Sequence, residues 1–273
     1  MLLEDGIVIA LMSAGFFMVA MYMLAQLRRD TSIVDIAWGL GFVLIGIGLC
    51  LQLDGSNPIF RLTQVLVTIW GLRLFTHILF RKAGKPEDWR YQNWRKDWGK
   101  THWWRSFLQV FMLQGFFMVL IASPMIAAWA AEDTSIAAIS YVGAAVWFVG
   151  FYFEAVGDYQ LNRFLRDKKI AAEAKGKKKK GKKKQPEFMT EGLWRLTRHP
   201  NYFGEVTQWW GLWLVVLPTT YGLQAVISPL LITFLLLKVS GIPMLEKKWE
   251  NNKEFKKYKK KTNAFFPAPP KKK

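Results

Sequence analysis

Residues 198–205 contain the side chains best suited to bind a ligand. They read Arg-His-Pro-Asn-Tyr-Phe-Gly-Glu, and an apolar stretch over residues 206–217 follows directly. This pattern predicts that a helix begins here, and a helix N-terminus carries partial positive charge and unpaired N–H groups. Basic residues at such a position suit the anionic part of a cofactor. The sequence therefore predicts an anion-binding site at this helix start, with Glu205 one turn inside the helix.

Other ionisable side chains recur every four residues within apolar segments. Positions four apart share one face of a helix, and ionisable groups inside a membrane span are costly and usually functional. Three stripes have this spacing: Arg73, His77 and Arg81; Glu154, Asp158 and Asn162; Asn201, Glu205 and Trp209. In addition, Asp35 begins one apolar segment and Lys238 lies late in another.

These charges have two explanations. They can pair with one another or extend to the membrane interface, and then they only lock helices together. Lys238 can extend to the interface, and His77 can be a partner of a backbone carbonyl. Alternatively, they converge on one polar cavity. The second explanation is favoured because all of them lie toward the same end of their helices, while the opposite halves are almost purely apolar, which argues against a transport path.

Composition indicates which elements position these side chains. The 273 residues are 52% hydrophobic, yet the net charge is +18, so apolar and charged residues must be segregated into spans and loops. Seven apolar runs approach the ~20 residues that a spanning helix needs, although the sixth is short. They cover residues 7–27, 33–53, 59–80, 107–130, 136–159, 202–217 and 223–245. We expect the first run to be a retained span, since it lacks a basic flank before it and is too long for a signal peptide.

The loops alternate in charge. Residues 28–29, 81–105, 163–198 and 247–273 contain all but three of the 38 Lys and Arg. The charged residues of the opposite loops are acidic: Glu4, Asp5, Asp54, Glu132 and Asp133. Because cytoplasmic loops are enriched in Lys and Arg, the N-terminus is predicted outside and the C-terminus in the cytoplasm. The predicted fold is an all-α, polytopic transmembrane bundle of about seven helices.

The sequence predicts a single membrane domain over residues 1–273. It includes a Lys-rich flexible cytoplasmic loop over residues 168–187 and a basic cytoplasmic tail over residues 247–273. The loop is better suited to lipid headgroups than to nucleic acid, which would need a folded basic face. No metal site is predicted from the single Cys50 and three scattered His, and no obligate protein partner is indicated.

Residues 82–104 interleave aromatic and basic side chains. The aromatic residues are Trp89, Tyr91, Trp94, Trp98, Trp103 and Trp104. Such a belt typically anchors a protein at the membrane interface. A share in a cofactor pocket is the alternative.

Several motifs together resemble one known family. Residues 192–205, Gly-Leu-Trp-Arg-Leu-Thr-Arg-His-Pro-Asn-Tyr-Phe-Gly-Glu, followed by Trp209-Trp210-Gly211, are similar to the C-terminal signature of the steroid 5-alpha-reductase family, and most similar to its bacterial branch of unknown function. The resemblance extends to residues 34–39, 70–74, 88–91 and 239–246 and so covers nearly the whole chain.

This resemblance implies a seven-helix bundle that binds NADPH from the cytosol. The reaction it implies is reduction of a carbon-carbon double bond conjugated to a ketone in a lipophilic substrate, in a bacterial inner membrane. No G-x-G-x-x-G motif follows a strand in this chain. We expect Gly39, Gly41, Gly46 and Gly48 to mark close helix packing instead.

The resemblance also implies roles for individual residues. Asn201 and Glu205 would hold the nicotinamide or ribose end, and Asp158 with Asn162, Arg163 and Arg166 would meet the nucleotide. Four arginines are candidates for the pyrophosphate and 2′-phosphate, where guanidinium geometry suits phosphate oxygens: Arg90, Arg95, Arg195 and Arg198. The remaining predicted cofactor contacts are Tyr91, Glu154, His199, Tyr202 and Lys238.

Reduction of an enone requires a donor aimed at the carbonyl oxygen, where negative charge develops. The characterised steroid reductases use a Gln-Glu pair near the second helix and a Tyr in the third. This chain has Asp35 near the second helix, and Arg73 and His77 but no Tyr in the third. The predicted catalytic group is therefore a buried, protonated Asp35, assisted by His77 or Arg73.

Two other functions remain open. Membrane methyltransferases that use S-adenosylmethionine have a related Arg-His-Pro-x-Tyr element. Asn201 and Glu205 favour the reductase, as do the many Arg, since S-adenosylmethionine has no phosphate. A non-enzymatic lipid-binding bundle would explain the aromatic belt but not the ionisable side chains inside the spans.

Overall fold

The computed structural model describes residues 2–53, 57–175 and 187–271, which are mainly helical and contain no strand. In chain order the helices are α1 (Leu3–Arg28), α2 (Ile33–Leu51), α3 (Pro58–Lys82), α4 (Trp89–Ile121), α5 (Ser123–Trp129), α6 (Ala138–Lys175), α7 (Leu193–Leu196), α8 (Pro200–Val216), α9 (Gln224–Lys247) and α10 (Lys253–Lys261). Six of these, α1, α2, α3, α4, α6 and α9, are long and apolar enough to cross a membrane. The predicted all-α membrane fold is thereby confirmed, and the protein is an integral membrane protein.

Two of the seven predicted spans differ from expectation. The short sixth run forms α8, which has 17 residues and is not among the six long apolar helices. The span predicted at residues 107–130 is wrong at both ends, because α4 already begins at Trp89 and stops at Ile121. The side chain of Asp88 accepts a hydrogen bond from the Arg90 backbone N–H and so caps α4, while Pro124 occupies the first turn of α5.

Helix α9 changes direction near its end. A wide turn over Leu235–Val239 is followed by Gly241, where an added Cβ would lie 2.3 Å from the Leu236 carbonyl oxygen. Pro243 then starts the last helical piece, Ile242–Lys247. Only glycine fits the approach at 241, so this bend sets the direction of the turn that carries Glu246.

The chain divides into two compact units. Unit 1 is Met1–Ala144 with Trp210–Leu231, and unit 2 is Ala145–Trp209 with Ile232–Lys273. The sequence predicted a single membrane domain. The unit boundaries fall within α6, α8 and α9, so composition shows no linker between the units.

In unit 1, glycines let α2 approach its neighbours. A Cβ on Gly39 would lie 2.4 Å from the carbonyl oxygen of Gly71 on α3, and one on Gly46 would overlap the amide of Gln64. The predicted packing role of these glycines is confirmed, since helix backbones in contact leave no space for side chains.

In unit 2, α6 and α8 come together in the same way. A Cβ on Gly150 would lie 2.6 Å from the Gly204 carbonyl oxygen, and one on Gly157 would lie 3.1 Å from the Pro200 ring. The polar side chains on the facing surfaces are therefore held close together.

Residues 262–271, here called the C-terminal arm, run beside α7. Thr197 and Asn263 form a parallel bridge, and the Arg198 N–H donates to the Asn263 carbonyl at 2.9 Å. Ala268 N–H donates to the Leu196 carbonyl at 3.0 Å. The predicted basic tail thus consists of the end of α9, helix α10 and this arm.

The predicted Lys-rich loop begins later than expected. Helix α6 continues to Lys175, so residues 168–175 are helical. Ala-rich sequence favours the helix, as do exposed pairs four residues apart, such as Lys169 and Glu173 at 3.9 Å. Residues 176–186, with most of the lysines, lie outside the described residues, as does Asp54.

Candidate functional site

A cluster of four buried residues and one exposed lysine surrounds the first turn of α8. We call it the α8-start cluster and define it as Arg198, His199, Glu246, Lys259 and Thr262. Glu246 accepts from Arg198 Nε at 2.8 Å, from His199 Nε2 at 3.1 Å and from Lys259 Nζ at 3.0 Å. Arg198 NH1 also donates to the carbonyl of Thr262. One carboxylate therefore joins α8, α9 and α10.

Local sequence orients His199 in this cluster. The Thr197 hydroxyl accepts from the His199 backbone N–H at 3.3 Å, and Pro200 starts α8. Burial lowers the pKa of His199 and outweighs the hydrogen bond from Nε2 to Glu246. In the neutral ring with Nε2 protonated, Nδ1 is an acceptor, and it has no hydrogen-bond partner in the described part of the chain.

A second polar group lies between α6 and α8. We call it the α6–α8 face: Glu154, Asp158, Asn201 and Gln208. Both carboxylates are buried, at 2% and 5% exposure. Asn201 Nδ2 donates to Asp158 Oδ1 at 3.2 Å, and Gln208 Nε2 donates to Glu154. The predicted meeting of the stripes that contain Asp158 and Asn201 is confirmed for this pair.

Two amide oxygens of the α6–α8 face are unusual. Asn201 Oδ1 and Gln208 Oε1 are buried and have no hydrogen-bond partner among the described residues. A buried acceptor without a donor costs about 1–3 kcal/mol, so such atoms mark where a ligand or water can bind.

The side of α8 that faces α6 differs from the predicted stripe. It is formed by Asn201, Gly204 and Gln208, whereas Glu205 lies beside it and is half-buried. Sequence reasoning missed Gln208. The signal was available in Gly150 and Gly204, because small residues mark the helix faces that touch.

The other predicted cofactor contacts in unit 2 are distributed more widely. Arg163 and Arg166 are exposed and lie 3.8 and 3.6 Å from Asp167. Tyr202 stacks on His199 with ring centroids 5.6 Å apart. Asn162 is half-buried on α6, and Arg195 on α7 and Lys238 on α9 are exposed.

Unit 1 contains a third polar group, here called the loop network: Asp35, Glu87, Asp88, Arg90, Tyr91 and Arg95. Arg90 NH2 donates to Asp35 Oδ2 at 2.7 Å, and the Tyr91 hydroxyl donates to Asp35 Oδ1 at 2.7 Å. Arg90 Nε also donates to Asp88 at 2.8 Å. Asp35 is therefore shared by an arginine and a tyrosine.

Glu87 and Arg95 form the other half of the loop network. They meet at 2.9 Å, and Glu87 also accepts from the Thr31 backbone N–H at 2.7 Å. Burial alone would raise the pKa of Glu87, but the hydrogen bonds from Arg95 and Thr31 outweigh it, and the net shift is downward. A phosphate at Arg90 or Arg95 would have to compete with these carboxylates.

Asp35 is less buried than the sequence predicted. The prediction required a buried, protonated carboxyl group, but Asp35 accepts hydrogen bonds at both oxygens and its side chain is 29% exposed. Both oxygens therefore act as hydrogen-bond acceptors. Arg73 and His77 lie four residues apart and half-buried on α3.

The aromatic belt separates into two kinds of residue. Trp89 and Trp103 are 58% and 63% exposed, as an interfacial anchor requires, whereas Tyr91 is buried at 3%. No group of three His, Cys, Asp or Glu within the described ranges is arranged to hold a metal ion.

Comparison with known proteins gives one match. The model of a family described as a protein of unknown function, DUF1295, matches residues 21–262. No curated protein and no solved structure matches the chain. Because the match covers both units and all three polar groups described above, the chain belongs to the DUF1295 family.

Proposed function

We propose that this protein binds NADPH at the α6–α8 face and reduces a carbon-carbon double bond conjugated to a ketone in a lipophilic substrate. We place it in a bacterial inner membrane with the cofactor site facing the cytoplasm. The observation that carries the proposal is the buried Oδ1 of Asn201, which has no hydrogen-bond partner among the described residues. The resemblance to the steroid 5-alpha-reductase family supplies the identity of the cofactor.

The polar atoms on this face fit the nicotinamide end of NADPH. Only the nitrogen side of the Asn201 amide can donate to Asp158, so its oxygen must point away from that carboxylate. A carboxamide N–H or a ribose hydroxyl would satisfy Asn201 Oδ1, and His199 Nδ1 offers a second acceptor. Each such bond removes the cost of an unpaired buried acceptor.

Arg163 and Arg166 are the best available phosphate ligands in unit 2. Their distances to Asp167 exceed 3.5 Å and both side chains are exposed, so these pairs contribute little and are easily exchanged. Arg198, in contrast, uses its Nε and NH1 for Glu246 and Thr262. We therefore assign the phosphates to Arg163 and Arg166 before Arg198.

Bound NADPH would supply a hydride to the β carbon of the enone. The carbonyl oxygen then gains negative charge and needs a proton. For this step the described residues of unit 1 offer the Tyr91 hydroxyl, which has to exchange its present hydrogen bond to Asp35 Oδ1 for one to the carbonyl oxygen. We assign the donor role to Tyr91 and a positioning role to Asp35, while Arg73 and His77 stay predicted contributors.

Methyl transfer from S-adenosylmethionine is the second candidate. The buried carboxylates Glu154 and Asp158 favour it, because a sulfonium or ammonium group would be stabilised beside them. This cofactor leaves Arg163 and Arg166 without a role.

Thermal stability in detergent tests the proposal. A ligand that binds only the folded protein raises the unfolding free energy by about 2.7 kcal/mol at a concentration 100 times Kd. We expect NADPH to raise the apparent melting temperature of the wild type and not that of Asn201→Ala. Thr207→Ala is the matched control, since the Thr207 hydroxyl donates to the Phe203 carbonyl of its own helix at 2.7 Å.

The outcomes are distinct. A shift with S-adenosylmethionine alone would replace reduction by methyl transfer. If no cofactor shifts the wild type, the site is wrong and a lipid-binding bundle becomes the better reading. If Asn201→Ala responds to NADPH like the wild type, the cofactor binds elsewhere.

A further inference from the structure

A groove beside α7 has the features of a lipid site. It lies in unit 2, has a volume of about 510 Å³, and is bounded by α6, α7 and the C-terminal arm. Its lining includes Tyr152, Gln160, Leu193, Arg195, Leu196 and Pro269. Most of these side chains are apolar, and none is acidic.

The groove presents one exposed arginine, Arg195. Arg195 is exposed, and its guanidinium forms no ion pair or hydrogen bond within the described ranges. It differs in this from Arg198, three residues later, whose guanidinium is bound to Glu246. An unpaired guanidinium in a groove free of carboxylates suits a phosphate oxygen.

Gln160 adds a neutral donor to the same groove. Its Oε1 accepts from the Leu193 backbone N–H at 3.0 Å, and its Nε2 lies against Gly192, directly before α7. Gly192, at φ 60°, makes this possible, because a Cβ there would lie 2.4 Å from the Gln160 amide nitrogen. Gln160 Nε2 and Arg195 therefore offer two kinds of N–H donor.

The position of the groove along α6 matches the membrane boundary. At 1.5 Å per residue, Gln160 lies roughly 33 Å from the start of α6 at Ala138, close to the ~30 Å of the hydrocarbon core. Tyr152 lies roughly 12 Å back toward that core and is 56% exposed. The polar end of the groove is thus at headgroup level and the apolar end is at acyl-chain level.

We propose that this groove binds a membrane phospholipid. The headgroup phosphate is held by Arg195 and Gln160, and an acyl chain lies along Leu196 and Tyr152. A nucleotide phosphate shares the anionic chemistry, but apolar walls at membrane depth select the lipid. Arg195 is thereby assigned to a lipid rather than to NADPH, and this inference does not depend on the proposed reduction.

Native mass spectrometry of the full chain tests the inference. The probes are phosphatidylglycerol and NADPH, titrated separately into delipidated protein. Loss of a charge-assisted hydrogen bond typically weakens binding about tenfold or more, so we expect Arg195→Gln to retain phosphatidylglycerol at least about tenfold less well than the wild type. The matched control is Lys169→Gln, an exposed cation on α6 that does not line the groove.

The two phosphate sources give different results. Weaker phosphatidylglycerol binding in Arg195→Gln, with unchanged NADPH binding and an unchanged melting temperature, supports the lipid site. Equal phosphatidylglycerol binding in Arg195→Gln and wild type overturns it. An equal loss in Lys169→Gln also overturns it, because the effect would then be one of general surface charge. Weaker NADPH binding with unchanged phosphatidylglycerol binding in Arg195→Gln also overturns it and makes Arg195 a ligand of the cofactor.

Discussion

The α8-start cluster and the loop network contain the same chemical unit in different surroundings. In each, an arginine and a second donor share one carboxylate. The side chains of Arg198 and Glu246 are 6% and 10% exposed, whereas those of Arg90 and Asp35 are 30% and 29% exposed. Water reaches the second pair and is almost excluded from the first.

This difference in water access separates structural from exchangeable charges. Breaking a buried ion pair leaves an uncompensated charge in low dielectric, while an exposed partner can be replaced by water or by a ligand. We therefore expect the Arg198–Glu246 pair to serve stability and the Arg90–Asp35 pair to tolerate change and participate in chemistry. The predictions below test this division.

Replacement of Glu246 should have the largest effect. Glu246→Ala leaves Arg198 and His199 buried without their shared acceptor, so we expect the free energy of unfolding to fall by about 3–5 kcal/mol. Denaturant or thermal unfolding in detergent measures this loss. Glu250→Ala is the matched control, because Glu250 is exposed and follows by one turn. Similar stability of the two variants would show that the cluster is not structural.

Replacement of Asp35 should cost less stability and more activity. Asp35→Asn keeps an acceptor for Tyr91 and loses only the charge that faces Arg90, so we expect a loss of about 1 kcal/mol. NADPH binding should be retained. Turnover of an enone should fall, and Tyr91→Phe should reduce it further, by about 10²–10⁴-fold, as for loss of a general acid. Full turnover in Tyr91→Phe would remove Tyr91 as the donor.

Features set by local periodicity were predictable from the sequence. Spans follow from apolar length, and the Gly39 contact follows from small residues in an apolar helix. The Asp158–Asn201 contact follows from four-residue spacing on two helices that are close in sequence. The start of α4 was missed because Trp89–Trp98 is polar, although Asp88 was a readable helix cap.

The partners of the arginines were not predictable. The sequence gives no reason to distinguish Arg195 from Arg198, but it is Arg198 that forms the ion pair with Glu246. That contact depends on the bend of α9 at Gly241 and on the return of the C-terminal arm beside α7, which bring together residues 48 positions apart. Periodicity places a side chain on a face of its helix, but it does not specify which distant carboxylate that face meets.

The smallest predicted effect is a difference in the pH at which His199 and Glu87 stop contributing to the free energy of unfolding. Since the pKa of His199 is lowered by burial, the unfolded chain binds more protons than the folded one as pH falls below about 6.5. Stability contributed by neutral His199 is therefore present above that pH and lost as pH falls through the folded pKa. The pKa of Glu87 is also lowered, so its contribution is lost only below about pH 4.3, its usual unfolded value.

Melting temperatures in detergent at pH 7.0, 5.5 and 4.0 distinguish these contributions. His199→Gln keeps a donor for Glu246 but does not titrate, so its melting temperature should fall less than that of the wild type between pH 7.0 and 5.5. Glu87→Gln should match the wild type in that interval and differ only on going to pH 4.0. An unchanged slope for His199→Gln would mean that water reaches the ring, and the contrast between the Arg198–Glu246 pair, from which water is excluded, and the Arg90–Asp35 pair, which water reaches, would then fail.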